Sequence, residues 1–131
     1  MESILQSIKK LLGIPENYDV FDTDIIIYIN SAFSVLKQLG VGPSTGFRIN
    51  DAVTTWSDYI SSEDSNFETV KTYVYLKVKL VFDPPLSSSL LQSTKDMISE
   101  LEWRLNSEAE NKDKSVEVPI DEITDGGGKK Y

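Results

Sequence analysis

Neither cysteine nor histidine occurs in the 131 residues. Without thiols there is no thiolate nucleophile, no Cys-ligated zinc, no iron–sulfur cluster and no disulfide-stapled scaffold. Without imidazole the usual carrier of protons near neutral pH is missing, and with it the Ser-His-Asp triad and every His-based metal site. Positive charge is also scarce: 13 basic residues face 21 acidic ones, a formal net of -8. That balance argues against sequence-independent wrapping of nucleic acid through phosphate neutralisation, and equally against an anionic membrane surface. Long apolar runs are lacking, since no window approaches 18 consecutive apolar residues. The start Met1-Glu2-Ser3-Ile4-Leu5-Gln6 has no basic stretch ahead of an apolar one, so neither a span nor a signal peptide is expected, and the chain is expected in cytoplasm-like solvent.

What is present fits one ordinary soluble domain. Hydrophobic residues make up 40% and charged residues 26%, and a chain of this size buries roughly two-thirds of the surface its unfolded form exposes, enough for a core without staples. Composition changes once, at about 106 to 107. Residues 1–107 carry 14 acidic and 9 basic groups, a net of -5, whereas 108–131 carry 7 and 4, a net of -3, with a Gly126-Gly127-Gly128 run. The expected organisation is therefore a helical domain over 1–107 and a flexible acidic C-terminal tail over 108–131, because so few apolar side chains cannot offset the entropy of ordering.

Five segments in the first part carry element signals. Ser3 caps a short helix with Ile4, Leu5, Ile8, Leu11 and Leu12 at helical spacing, and Gly13 and Pro15 stop it. Asp22 or Thr23 opens a second, in which Ile25, Ile29, Ala32, Leu36 and Leu39 step by three and four, Ile26 and Phe33 widen the stripe, and Gly40 takes the left-handed position. A turn-rich loop over 41–50 follows. Asn50 or Asp51 then caps a short third helix presenting Val53, Trp56 and Ile60. Residues 66–82 are ambiguous: Val74, Leu76, Val78 and Leu80 alternate as a strand would, yet Phe67, Val70, Val74, Val78 and Val81 trace a helical face. A lone strand would have no sheet partner, and Asp83-Pro84-Pro85 is a helix stop, so the segment reads as helix. Ser87 to Ser89 cap a final helix lined by Leu91, Thr94, Ile98, Leu101 and Leu105, with Met97 and Trp103 beside that face. The fold class is a small all-α bundle of about five helices with an extended tail. The second and fourth helices are apolar over so wide an arc that part of it is expected at contacts between subunits.

The chemistry these residues offer is thin. Asp22, Asp24, Asp51 and Asp58 suit a hard cation in type, but sit where carboxylates cap helices and complement the dipole. Gly40, Gly42 and Gly46 lack the Lys-Ser or Lys-Thr pair and the preceding strand of a phosphate cradle. The clustered serines have no base to activate them. Tyr73 to Lys79 mixes rings and cations as a single-strand stacking platform does, although a buried or interfacial helix explains it better in an acidic chain. No catalytic residue, metal or cofactor is assigned. Protein contact remains: Val116, Val118 and Ile120 recur at spacing two, with Pro119 tolerating extension, the pattern of a segment that adds to a partner's sheet or groove.

Several blocks together resemble the head-tail connector (adaptor) proteins of long-tailed bacteriophages and of prophages in Gram-positive bacteria. They are Asp22-x-Asp24-Ile25-Ile26-x-x-Ile29-Asn30-Ser31-Ala32-Phe33, then Gln38-Leu39-Gly40-Val41-Gly42-Pro43, then the run from Lys71 through Val81-Phe82-Asp83-Pro84-Pro85, and Glu100-Leu101-Glu102-Trp103-Arg104-Leu105-Asn106. The similarity covers about residues 1–110. It implies an all-helical structural virion protein of the neck, assembled in the host cytoplasm, whose copies form a ring, a dodecamer in the virion, beneath the portal protein. It further implies that the ring extends the DNA channel and receives the stopper or tail-completion protein, with DNA passing through unread and no membrane involved. On that reading the tail residues Val116, Val118, Pro119 and Ile120 bind the portal. Val41, Gly42, Pro43, Phe47 and Arg48, with Asp83, Pro84 and Pro85, form loops that face ring or neck neighbours. The alternative is a small nucleic-acid-binding module or another phage assembly module; a metal-dependent nuclease ranks below the connector as well.

Overall fold

The computed structural model describes residues 2–121, with side chains for 2–111. The elements are α1 (Ile4–Leu12), α2 (Asp22–Gln38), α3 (Trp56–Tyr59), α4 (Phe67–Phe82) and α5 (Ser88–Asp121), with no strand among the described residues. The all-α class read from the sequence holds, and the ambiguous segment is helix.

Local chemistry sets most boundaries. Ser3 Oγ accepts from the Gln6 N–H at 3.0 Å, and Gly13, at φ 82°, closes α1. Gly40 follows α2 at φ 88°. The third helix departs from expectation. It is one turn long and its N-cap is Thr55, not Asn50 or Asp51. Asp58 Oδ2 accepts from the Thr55 N–H at 2.9 Å and from its hydroxyl at 3.2 Å, a local bond that neither earlier residue can match. Asp51 instead turns its carboxylate onto the Val53 N–H at 3.0 Å, and Val53 points to solvent.

The start of α2 and the end of α4 meet through the Phe21 and Phe82 rings, with centroids 5.2 Å apart, so these two helices run antiparallel. α5 returns along α4: Tyr73 donates to Glu102 Oε2 at 2.7 Å, and Asn106 Nδ2 reaches the Leu39 carbonyl at the end of α2 at 3.3 Å. α1 packs on α2 and α4. Its first residue is tied to the loop before α3 by the Ile4 N–H donating to the Thr54 carbonyl at 2.9 Å. The face predicted for the last helix is the face that packs, with Ile98 and Leu105 buried and Leu91, Thr94 and Leu101 half-buried.

The wide apolar arc of α2 and α4 goes mostly into this core. Ile25, Ile29, Ala32, Phe33 and Leu36 on one helix, and Val70, Tyr73, Val74 and Val78 on the other, are buried within a single subunit. Only Ile27 and Val81 on these helices are large apolar side chains left to solvent. The physical reason is that α2 has α1 and α4 for neighbours and α4 has α1, α2 and α5.

Two polar arrangements hold the bundle in register. Trp56 donates its indole N–H to Ser7 Oγ at 2.8 Å, and that hydroxyl donates to the Ile4 carbonyl at 2.9 Å, so the buried indole is satisfied. Lys9 is fully buried, its ammonium 2.8 Å from Asp22 Oδ1 and 3.1 Å from the Glu16 carbonyl. This pair fastens the end of α1 to the start of α2.

Candidate docking surfaces

The loop over 41–50 is built from inside. Val41 donates back to the Leu36 carbonyl at 2.9 Å, and Gly46 to the Pro43 carbonyl at 2.9 Å. Gly42 lies over the ring of Tyr59 at φ 88°, so closely that a Cβ there would fall 2.7 Å from Tyr59 Cε1. Phe47 joins an aromatic cluster, 5.1 Å from Phe33 and 4.9 Å from Tyr59, with Trp56 6.2 Å from Phe33. Asn30 clamps the far end: its Nδ2 donates to the Ile49 carbonyl at 2.9 Å and its Oδ1 accepts the Ile49 N–H at 2.7 Å. Of the residues singled out here, Val41 is buried and Phe47 half-buried, so their side chains hold the loop. Gly42, Pro43 and Arg48 form its outer surface.

The second predicted contact loop follows α4. Asp83 ends the helix with its N–H on the Lys79 carbonyl, and its carboxylate takes Lys79 Nζ at 3.1 Å. Pro84 and Pro85 then prevent further winding. Ser87 Oγ accepts from the Leu90 N–H at 3.3 Å to start α5. Between the two ends stands Leu86, fully exposed, followed one turn on by Leu90 at 60% exposure. The two loops are not brought together. One follows the C-terminus of α2 and the other that of α4, and the 17-residue α2 separates them by about 25 Å.

The segment expected as a tail begins as helix. α5 crosses the change in composition at 107 without a break. Glu108 and Ala109 are half-buried, and Ala109 Cβ lies 3.0 Å from where a side chain on Gly40 would begin. Ala109 thus lies against Gly40 at the end of α2, while Glu110 and Asn111 are exposed. The side chains of Val116, Val118, Pro119 and Ile120 lie outside the described residues.

The stacking-platform reading of Tyr73 to Lys79 does not survive. Tyr73, Val74 and Val78 are buried, and Tyr75, Lys77 and Lys79 only half-exposed. Burial, and then the Glu102 carboxylate accepting its hydroxyl proton, push the Tyr73 phenol well above the ordinary tyrosine range. Burial alone does the same to Tyr59. The helix-terminal carboxylates behave as caps or partners: Asp22 pairs with Lys9, Asp51 holds a turn and Asp58 holds the α3 start. Among the described residues no three acidic side chains converge as a metal site would require, and no helix is long and apolar enough to cross a membrane.

Sequence reasoning missed three residues that matter here. Asn30 sits on a polar step of an apolar helix, and its role depends on a loop 19 residues away. Lys9 looks like an ordinary surface lysine beside Lys10. Leu86 does carry a signal, since 84–94 form an uncharged run of 11 residues in a chain with 26% charged residues.

No curated protein and no solved structure matches the chain. The family model of phage connector proteins matches residues 4–112, from the first residue of α1 through the part of α5 that packs on the bundle. That span takes in both loops and every buried residue of the core, and the chain belongs to the phage connector protein family.

Proposed function

We propose that the chain is the adaptor of a phage neck: copies form a ring under the portal protein, extend the DNA channel and receive the stopper or tail-completion protein. The observation that carries this reading is the family match over 4–112. The fold supports it. A spacer between larger assemblies needs a rigid body with separated contact points, and the two loops stand at different ends of the α2 and α4 pair.

In this reading the residues beyond 111 bind the portal through Val116, Val118, Pro119 and Ile120. The 41–50 loop meets ring or neck neighbours through Gly42, Pro43 and Arg48, held in shape by Val41 and Phe47. Asp83, Pro84 and Pro85 do the same at the other end. Several copies on one axis reinforce one another's attachment through effective concentration. The acidic excess keeps the passing duplex from sticking where carboxylates face the channel. The protein acts by docking and carries out no reaction.

The test is co-expression with the portal protein of the same phage, followed by affinity capture and electron microscopy of the captured particles. Full-length chain is expected to ride with the portal as a ring. Removal of 112–131 is expected to leave the circular dichroism of the bundle and abolish capture; equal capture of the truncated chain refutes the tail assignment, and no capture of the full chain refutes the adaptor reading.

A further inference from the structure

The end of α5 combines a helical backbone with a sequence that disfavours it. The helix runs for 34 residues, Ser88–Asp121. Ala109 still lies against Gly40, but the next two residues, Glu110 and Asn111, are exposed, so the helix leaves the bundle there. Most helical stability in proteins comes from packing an amphipathic face and little of it from propensity. Propensity is poor as well: in Ser115-Val116-Glu117-Val118-Pro119-Ile120-Asp121 only Glu117 is a strong helix former.

Pro119 adds a specific penalty. It has no N–H to give the carbonyl four residues back, its ring crowds that carbonyl, and it pushes Val118 away from helical dihedrals. In an extended chain these costs disappear. Valine and isoleucine suit a strand, and proline is tolerated on an edge strand where its missing donor faces away from the neighbour. A spacing of two also lines one side of a strand, whereas around a helix it places residues about 200° apart. Two backbones therefore compete for the same residues, a helix by continuity with α5 and a strand by local chemistry.

We propose that 112–121 is a conformational switch: helical as the end of α5 in the free chain, extended when it adds to a sheet edge of the portal, with Pro119 keeping the helix weak enough to give way. This rests on the reading that residues beyond 111 bind the portal, and adds how that binding is controlled. The helix competes with the bound form, so the fraction of chains already unwound sets the apparent affinity. Strengthening the helix therefore weakens portal binding, the reverse of what holds where a helix itself docks.

The test uses the full-length chain, with backbone chemical shifts over 112–121 read in the free protein and affinity read by titration of the portal. Pro119→Ala is expected to raise the helix population over 112–121 and to weaken portal affinity at least about tenfold, because alanine is favoured over proline within a helix by more than that. A second pair separates this effect from loss of the proline ring as a contact. Glu117 lies off the edge shared by Val116, Val118 and Ile120 in an extended segment, and Glu117→Thr and Glu117→Ala remove the same charge. The threonine variant, which favours a strand, is expected to bind several-fold tighter than the alanine variant, which favours a helix. Unchanged or tighter binding by Pro119→Ala overturns the proposal, as do equal affinities of the Glu117 pair, extended shifts in the free chain, or a helix over 112–121 in electron microscopy of the portal-bound particles. Capture that requires 112–131 yet ignores all three substitutions refutes the switch and leaves the tail assignment standing; no capture of the full-length chain refutes the adaptor reading and the switch with it.

Discussion

Removing the two partners of the buried ion pair one at a time should have very unequal effects. The Lys9 side chain is 1% exposed and the Asp22 side chain 26% exposed, so only the carboxylate can fall back on water. Asp22→Ala leaves an ammonium in the interior with the Glu16 carbonyl as its remaining acceptor. Stranding a buried charge typically costs about 3–5 kcal/mol; the lower end, about 3 kcal/mol, applies here because the chain end after α1 can loosen around the lysine. Lys9→Met keeps the volume and most of the packing, and the abandoned carboxylate hydrates while still complementing the positive end of α2, so the loss is about 1 kcal/mol. The double variant should resemble Lys9→Met alone, because the neutral methionine no longer needs Asp22. Urea unfolding followed by circular dichroism at fixed ionic strength reads all three. With a slope near 1.5 kcal/mol/M, the midpoint falls by about 2 M for Asp22→Ala and by less than about 1 M for the other two. Equal midpoints for the two single variants would refute the claim that the asymmetry of burial controls the cost.

The other expectations concern the loop, the glycines and the tyrosines. Asn30→Ala removes both bonds to Ile49 and leaves a buried N–H without a partner, a loss of about 2 kcal/mol, and amide exchange at Ile49 should accelerate before that of α4. Gly42→Ala combines positive φ with a clash on the Tyr59 ring and should cost about 3 kcal/mol, whereas Gly13→Ala, with nothing within 4 Å, costs only the left-handed conformation, about 1 kcal/mol; thermal unfolding of the pair separates the two terms. Tyr59 and Tyr73 hold their protons more tightly folded than unfolded. Their contribution is therefore complete below the unfolded tyrosine value near 10 and is lost as pH rises above it, with a limiting slope of about 2.7 kcal/mol per pH unit for the two together. Replacing both with Phe should flatten a stability curve measured between pH 9 and 11, and an unchanged slope would count against the burial of these hydroxyls.

Elements whose ends are set by nearest neighbours were legible in the sequence. Ser3 with Gln6, Gly13, Gly40 and the proline pair after Asp83 each act within four residues, and the stripes of α2 and α5 follow from a single period. What eluded pattern reading depends on distance along the chain. Asp58 reached back to Thr55 and took the α3 cap from Asn50 and Asp51, a competition visible only once the turn is drawn. Lys9 is buried because Asp22 arrives 13 positions later, and the width of the apolar arc on α4 is explained only when α1, α2 and α5 are all seated on it. The alternation of Val74, Leu76, Val78 and Leu80 could have made a strand; it became helix because three flanking helices take different parts of its circumference.

The same packing logic explains why the residues that the loops present to solvent were the hardest to name. Val41 and Phe47 look exposed in a loop with two glycines, a proline and a serine, but Val41 is buried and Phe47 packs on the rings of Phe33 and Tyr59, leaving Gly42, Pro43 and Arg48 outside. Leu86 looks like a residue that should fold onto its own helix and does not. Apolar character in the sequence therefore does not distinguish core from contact surface in this chain. What distinguishes them is whether a partner lies within the subunit: the loop after α2 has one in Tyr59, and the corner after α4 has none. The loop after α2 therefore has a shape fixed from inside, and the corner after α4 leaves its leucine to solvent, at separated ends of one bundle.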